Sequence, residues 1–269
     1  MLLRDALGTV HRRADESARI VSLVPSITEL ICDLGLAGQL VGRTGFCVHP
    51  RAILKSIAKV GGTKDVDLHK VRALAPTHVV LNIDENEKSA AEALARFVPH
   101  LIVTHPLGPF DNPPLYRLIG GIFGKGQTAE ALCSRFEGAH RALAEAARSW
   151  QRQRVLYLIW KDPWMTVARD TYISRMLALA RWDTVPANAA IRYPRVELND
   201  ALLHGVDLVL LASEPYRFRA PHLAELRALP GMRAKELALI DGEMTSWYGS
   251  RAIDGANYLH GFREKLQVP

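Results

Sequence analysis

The chain has 269 residues, of which 48% are hydrophobic and 23% are charged. This composition excludes disordered, collagen-like and coiled-coil proteins and is typical of a packed globular protein. The formal net charge is +6, but the lysines and arginines are scattered and no basic run interleaves with aromatic residues, which disfavours a nucleic-acid-binding face.

Predicted strands and helices alternate in the first half of the sequence. Short apolar runs predict strands at 19–24, 40–44, 77–82 and 100–104, and amphipathic runs predict helices at 27–36, 66–74 and 87–97. Alternation of this kind is typical of a parallel sheet that is covered by helices on both faces.

A long alanine-rich segment without internal proline, from about Thr128 to Trp150, predicts one helix of about six turns. Beyond it, strands are predicted at 155–160, 207–212 and 236–241, and helices at 171–180, 197–205, 222–229 and 250–266. We therefore predict an α/β protein with two Rossmann-like lobes, each with a parallel-type sheet, joined by a single long α-helix. The predicted boundaries are 1–126 for the N-terminal lobe, 127–150 for the bridging helix and 151–269 for the C-terminal lobe.

Aromatic residues concentrate just after the predicted strands, where open α/β sheets bind their ligands. They are Phe46, Trp160, Trp164, Tyr216, Trp247 and Tyr248. Packing between sheet and helix explains many single rings, but only 7% of the residues are aromatic, and the segment SWYGSR (246–251) also supplies glycine, serine and arginine. The pattern favours a flat, partly apolar ligand with polar groups at its rim.

The segment that follows the first predicted strand contains Ser26 and Glu29. Their spacing fits a capping box, with Ser26 as the N-cap of the first helix and Glu29 three residues later. The amides at such a helix N-terminus can also hold a carboxylate or a phosphate.

Cys47 and His49 form a weaker candidate site, since a thiol and an imidazole two residues apart in an extended segment can reach one soft metal ion. Further ligands would have to come from Glu29, Glu85 or Glu214, and a buried cysteine beside a loop histidine is the alternative interpretation. No catalytic motif stands out, and the glycine-rich segment 120–128 lacks the spacing of a phosphate loop. Catalysis therefore has little support from these residues, and we expect that the protein is not an enzyme.

Cys32, Cys47 and Cys133 form no C-x-x-C pair, which fits a reducing compartment. The N-terminal segment MLLRDALGTVHRRADESARI lacks the apolar core of a secretory signal, and no stretch approaches the roughly 18 apolar residues of a membrane-spanning helix. The sequence as written predicts a cytoplasmic protein, or a periplasmic one if the true N-terminus is absent.

Several motifs together carry a family resemblance that covers almost the whole chain. They are Pro-Ser-x-Thr-Glu at 25–29, the segment from Gly62 to His69, the strand ALAPTHVVLN, and the later segments VLYLIWKDPWMTV and LALIDGEMTSWYGSR. In these segments the chain resembles the helical-backbone (class III) periplasmic binding proteins that serve ABC importers of vitamin B12 and ferric siderophores. The resemblance implies two α/β lobes with a ligand cleft between them, reversible binding of a metal chelate, and no intrinsic cofactor.

The resemblance also suggests ligand contacts. Phe46 and Tyr193 stand where vitamin B12 binders carry Tyr and Trp, whereas Thr63 and Asn82 replace tryptophans, which points to a smaller or more polar chelate than a corrinoid. Possible ligands are cobalamin, haem and other ferric chelates. From both lines of reasoning, the predicted ligand-binding residues are Pro25, Ser26, Phe46, Asn82, Trp160, Tyr193, Glu214, Trp247, Tyr248 and Arg251.

A last implication concerns the transporter. In this family a surface glutamate on each lobe pairs with arginines of the ABC permease, and these positions fall at His69 and about Asn199, next to Asp200. The missing charges raise the alternative of a cytoplasmic chelate chaperone or sensor without a transporter, and direct transition-metal binding is a second alternative. The family's members act as monomers, which predicts a monomer here.

Overall fold

The computed structural model describes residues 2–187 and 190–267, which form two compact units. One unit comprises the described residues up to Pro106, together with Phe110–Phe136 and Tyr248–Arg251. The other comprises Leu107–Pro109, the described part of Glu137–Trp247, and the described residues from Ala252 onward. Each unit is therefore assembled from more than one stretch of the chain.

The first unit is built on a five-stranded parallel sheet with strand order β3-β2-β1-β4-β5. Its strands are β1 (Ile20–Ser22), β2 (Leu40–Arg43), β3 (Ala58–Lys59), β4 (His78–Asn82) and β5 (His100–Thr104). Its helices are α1 (Pro25–Asp33), α2 (Arg51–Leu54), α3 (Leu68–Ala73), α4 (Lys88–Leu94) and α5 (Asn112–Ile122). Helix α6 (Gly126–Ala147) begins in this unit and ends in the other.

The second unit contains a four-stranded parallel sheet with strand order β7-β6-β8-β9. Its strands are β6 (Gln153–Leu158), β7 (Trp182–Thr184), β8 (Leu208–Ala212) and β9 (Glu236–Ile240). Its helices are α7 (Tyr172–Ala178), α8 (Asp200–Leu203), α9 (Ala220–Ala228), α10 (Gly242–Ser246) and α11 (Arg251–Gln267), of which α11 starts on the last residue assigned to the first unit.

Buried runs rich in valine and leucine form interior strands of each sheet. Every residue of β4 and of β8 is buried. In the first unit, Val79 and Leu81 of β4 pack in one cluster with Val71 of α3 and Leu94 of α4. These contacts confirm the predicted fold class of two parallel-sheet α/β lobes. The predicted boundaries 1–126, 127–150 and 151–269 stay a prediction.

The capping box predicted at Ser26 and Glu29 is wrong. Helix α1 begins two residues earlier than predicted, at Pro25, and its N-cap is Val24, which offers no side-chain acceptor. Proline suits this position because its fixed φ is helical and its missing N–H would have no helical partner in any case. Proline also removes one of the amides that an anion at this helix N-terminus would use.

An N-terminal hairpin, which the sequence patterns did not predict, lies against the outer edge of the first sheet. Ala6 N–H donates to the Val103 carbonyl, and Val103 N–H donates to Oδ2 of Asp5. The buried Asp5 carboxylate also accepts from the amides of Leu7 and Thr9 and contacts Nε2 of His11 at 3.1 Å. One carboxylate therefore closes the hairpin and attaches it to β5.

Among the described residues, no helix combines the length and apolar character needed to cross a bilayer.

We expect Asp5→Ala to lower the free energy of unfolding by about 2 kcal/mol, because it leaves several buried donors without an acceptor. Chemical denaturation followed by circular dichroism measures this loss. Asp15→Ala is the matched control, since the exposed Asp15 accepts only from neighbouring Ser17, and it should change stability far less. Equal effects of the two substitutions would contradict the role assigned to Asp5.

Candidate functional site

Parallel strands place their carboxyl ends on the same edge of a sheet, so the loops that follow β1, β2, β4 and β5 share one edge of the first unit. Pro25 and Ser26 follow β1 and lie in the first turn of α1, with Ser26 buried and Pro25 half-buried. The other predicted site residues of this unit lie in the later loops or in the returning segment Tyr248–Arg251.

The loop after β2 presents Phe46 to solvent, with 62% of its surface exposed. Buried Arg43 fixes this loop from below, because Nη1 donates to the carbonyls of Thr44 and Cys47, at 3.0 and 3.1 Å. Gly45 N–H adds a 2.7 Å bond to the Gly61 carbonyl. An exposed aromatic ring on a loop with so many fixed backbone groups is suited to contact a ligand without large ordering cost.

Asn82, predicted as a ligand contact, is 3% exposed and organises the loop after β4. Its side-chain Oδ1 accepts from the backbone N–H groups of Asp84 and Glu85, and its own backbone N–H donates to Oδ1 of Asn86. Asn86 in turn donates to the Leu23 carbonyl. The structure therefore gives Asn82 a role in shaping the loop, and ligand contact by its side chain stays a prediction.

The segment Tyr248–Arg251 returns to the first unit from far along the chain. Tyr248 is buried, and its hydroxyl donates to Oε1 of Glu85 at 2.5 Å. The Arg251 guanidinium makes a two-pronged ion pair with Glu29, from Nε at 2.7 Å and Nη2 at 2.5 Å. Such bidentate pairs are geometrically specific. Both predicted ligand residues thus contact side chains of their own unit.

Two fully buried side chains hold the backbone of the same segment. Asn112 Oδ1 accepts from Gly249 N–H at 2.7 Å, and the Tyr116 hydroxyl donates to the Gly249 carbonyl at 2.8 Å. Gly249 has φ +78°, and a Cβ there would lie 3.0 Å from the Ser26 carbonyl oxygen. Only glycine combines that conformation with so close an approach.

Burial dominates the electrostatics of this edge. It raises the pKa of Glu29 above its ordinary value of 4.5, although the Arg251 hydrogen bond opposes the rise. Burial, followed by the nearby Glu85 charge, also raises the pKa of Tyr248 well above its ordinary value. Tyr248 is therefore a neutral hydrogen-bond donor at physiological pH.

The predicted metal ligands Cys47 and His49 lie in the loop after β2, and metal binding there stays a prediction. No group of three or more His, Cys, Asp and Glu that could hold a metal ion occurs within 2–187 and 190–267. The Cys47 thiol is buried between the hydroxyls of Thr28 and Thr44, at 3.1 and 3.2 Å, and burial raises its pKa, which disfavours the thiolate that a metal requires.

The carboxylates suggested as further metal ligands have other partners. Glu29 pairs with Arg251, Glu85 accepts from Tyr248, and Glu214 belongs to the second unit, where it accepts two hydrogen bonds.

An aromatic cluster lies in the loops that follow β6 and β8 of the second unit. It includes Trp160, one of the predicted ligand contacts. Trp160 is 40% exposed, and its ring meets Tyr216 edge-on at a centroid distance of 5.7 Å. Tyr216 lies 4.7 Å from Phe218, and Phe218 stacks on Trp164 at 6.1 Å. Only the outermost ring of this cluster therefore faces solvent to a large extent, and the others support it.

Glu214 follows β8 and organises the end of α10. Its Oε1 accepts from the Ser246 hydroxyl at 2.8 Å and from Nε1 of Trp247 at 2.7 Å. The pKa of Glu214 is raised mainly by burial, and the nearby charge of Glu243 raises it further. Half-buried Trp247 is thus oriented through its indole N–H, and its predicted stacking on a ligand stays a prediction.

Tyr193 lies in the segment that follows β7. Backbone hydrogen bonds join this segment to the loop that follows β6. Ala168 N–H donates to the Arg192 carbonyl at 2.8 Å, and Thr166 N–H donates to the Pro194 carbonyl at 3.1 Å. Between these two attachments, Tyr193 is 39% exposed. Sequence reasoning found Tyr193 through the family resemblance alone.

Sequence reasoning missed further apolar side chains on the same loops. The exposed ones are Val48, Ile83, Phe110 and Ile191, which follow β2, β4, β5 and β7. Ile83 directly follows β4 and looks like the last residue of that strand in the sequence, so its exposure gave no signal. The positions suggested for transporter docking, His69, Asn199 and Asp200, are all exposed, and Asn199 also caps α8 by accepting from the Leu202 amide.

We expect Glu214→Gln to gain stability relative to the unsubstituted protein as pH rises from about 4 to 7. A carboxyl whose folded-state pKa is raised above the ordinary 4.5 binds its proton more tightly when folded, so folding loses stability as pH rises through that range. Glutamine removes this loss and keeps an oxygen acceptor for Ser246 and Trp247. Denaturant unfolding at several pH values measures the difference.

Glu130→Gln is the control with opposite sign. Its hydrogen bond from Arg117 lowers the pKa of the exposed Glu130, so the native carboxylate favours folding more at higher pH. The glutamine variant should therefore lose a small amount of relative stability as pH rises, limited by solvent screening. If the stability of both variants relative to the unsubstituted protein changed with pH in the same direction, the result would contradict the raised pKa assigned to Glu214.

A family model described as periplasmic binding protein matches residues 20–199. The vitamin B12-binding protein of Pectobacterium carotovorum is 20% identical over 200 residues, which cover 73% of this chain and 72% of that protein. The chain is also similar to two solved structures, which at their level of identity show the fold alone.

The first is the periplasmic vitamin B12 binding protein BtuF of Vibrio cholerae, with a TM-score of 0.79 and 16% identity over 93% of this chain and 98% of that one. The second is the periplasmic heme-binding protein RhuT from Roseiflexus sp. RS-1 in apo form, with a TM-score of 0.79 and 22% identity over 93% and 98%.

Proposed function

Because this chain belongs to the periplasmic binding protein family, we propose that it reversibly binds a metal chelate, such as a corrinoid, haem or another ferric complex, as cargo of an ABC importer. The family assignment confirms the resemblance found in the sequence and the prediction of a substrate-binding protein. The class of ligand comes from the relatives, whose names include vitamin B12 and heme binders.

The observation that carries the proposal is where most of the large exposed apolar side chains lie. In the first unit Phe46, Val48, Ile83 and Phe110 all follow strands of its sheet, and in the second unit Trp160, Ile191 and Tyr193 do the same. Exposed apolar surface concentrated in this way marks a binding surface, and strand-end loops are where open α/β sheets bind ligands. A chelate with a flat organic face suits such side chains.

The polar residues near these loops are held by bonds within the protein. Glu29, Glu85 and Glu214 each accept at least one hydrogen bond from a side chain, as described above. We therefore assign the binding energy mainly to apolar contact with the organic part of the chelate and not to metal coordination by the protein. In this proposal the chelate is a transported ligand and not a cofactor, and the protein's role is binding and not catalysis.

The proposal includes a permease partner and a periplasmic location. His69 and Asn199 lack the negative charge expected for docking, whereas exposed Asp200 at the start of α8 can supply one charge in the second unit. Cell fractionation and co-purification with membrane proteins test this part. Recovery from the cytosol alone, without a membrane partner, would favour the cytoplasmic chaperone or sensor instead.

We expect Trp160→Ala to weaken chelate binding by about 2 kcal/mol, the scale at which truncation of a buried aromatic contact is felt. Fluorescence and absorbance titrations with cobalamin, cobinamide, haem and a ferric siderophore first identify the ligand, and the variant is then titrated with that ligand. Leu7→Ala is the control, since Leu7 is exposed but lies on the N-terminal hairpin, far in sequence from the strand-end loops. An unchanged dissociation constant in Trp160→Ala would remove this ring from the site.

A further inference from the structure

A basic cavity of about 490 Å³ lies in the first unit beside the loop that carries Phe46. Its polar lining consists of Arg43, His49, Arg51, Lys55 and Lys59, and no aspartate or glutamate lines it. A second cavity of the same unit, lined by Arg12, Arg13, His78 and His100, also contains the Asp15 carboxylate. Among the described residues, the cavity at Arg43 is thus lined by basic side chains and by no acidic side chain.

Arg43 provides the strongest reason to expect an anion there. The residue is 7% exposed, and four hydrogen bonds lead from its guanidinium to the carbonyls of Thr44, Cys47 and Leu54. Carbonyl oxygens satisfy its donors but do not neutralise its charge. In the described part of the chain no carboxylate lies within 4 Å of this guanidinium, and an uncompensated charge in a buried position is costly.

Three exposed cations also line the cavity. Arg51 and Lys55 project from α2 and its C-cap, and Lys59 lies at the end of β3, all of them exposed. Within the described residues none of the three forms an ion pair of 4 Å or less, whereas Lys70 pairs with Asp67 and Lys88 with Glu92. Long basic side chains around a buried guanidinium can close on an oxyanion and share its charge through charge-assisted hydrogen bonds.

We propose that this cavity binds an oxyanion, a carboxylate or a phosphate, with Arg43 at its base and Arg51, Lys55 and Lys59 around it. The oxyanion has two possible sources of the same chemistry: a free anion, or an acidic group of the chelate whose organic face contacts Phe46. The first source is independent of the proposed function, and the second rests on it.

The test uses a triple variant, Arg51→Gln, Lys55→Gln and Lys59→Gln, which changes only exposed side chains and leaves Arg43 and the fold in place. Arg12→Gln with Arg13→Gln is the charge control, because these arginines line the cavity that contains Asp15. Circular dichroism and thermal unfolding establish that all proteins are folded. Every titration is carried out at 150 mM salt, where nonspecific attraction between exposed charges is screened.

In the first arm, inorganic phosphate is titrated into each protein by calorimetry. We expect sub-millimolar binding to the unsubstituted protein, at least a tenfold loss in the triple variant and no comparable loss in the control. In the second arm, haem and haem dimethyl ester are compared, because esterification removes the carboxylates and keeps the ring. We expect a preference for haem of at least tenfold in the unsubstituted protein, which the triple variant loses while its affinity for the ester stays unchanged.

Either result supports the proposal and identifies the source of the anion. The proposal is overturned if the triple variant matches the unsubstituted protein in both arms, or if the control variant shows the same losses. If no chelate binds the unsubstituted protein, the proposed function fails, and the phosphate arm still decides whether the cavity is an anion site.

Discussion

The first unit depends on a short segment that the chain supplies almost at its end. Glu85, Asn112, Tyr116 and Glu29 all direct their polar atoms at the residues from Tyr248 to Arg251. Without that segment, a fully buried amide, a fully buried phenol and a carboxylate of raised pKa would each lose the hydrogen bonds described above. Leaving such buried groups unpaired costs free energy, which explains why several side chains hold the segment Tyr248–Arg251 by hydrogen bonds.

Both units present their strand-end loops by similar physical means. In the first unit, the guanidinium of Arg43 and the amides of Asn82 and Asn86 satisfy the backbone of two loops. In the second, Glu214 collects the hydroxyl and indole donors at the end of α10. Polar side chains thus fix the backbone beneath, so that apolar side chains can be held out in water. A rigid apolar surface of this kind binds with little loss of conformational freedom.

The fold class was predictable from the sequence because it rests on local periodicity. Fully buried strands such as β4 and β8 appear as continuous β-branched and leucine runs, and α6 appears as a long alanine-rich stretch without proline. Strands β3 and β7, with two and three residues, are too short to form a pattern, and helix α5 was concealed by the prolines of its own first turn. The N-terminal hairpin depends on one buried aspartate, which no periodicity reveals.

The candidate site was predictable only in part, because side-chain roles depend on partners that are distant in sequence. Phe46 and Trp160 follow strands and are exposed, as expected of ligand contacts. Asn82 and Tyr248 occupy equally suggestive positions, yet their polar atoms serve Asp84 and Glu85. The partner of Arg251 is Glu29, more than two hundred residues away, and no pattern along the chain pairs them.

The division of the chain between the units has a consequence for protein synthesis. The first unit begins near the N-terminus, yet it includes Tyr248–Arg251 and is therefore incomplete until nearly the whole chain has left the ribosome. A nascent chain that ends within the second sheet would lack the bonds that Asn112 and Tyr116 make to Gly249, and its incomplete first unit would be a target for chaperones or proteases. No single cut separates an intact first unit from the second, so fragments for expression would need to retain the chain through Arg251 or supply that segment separately.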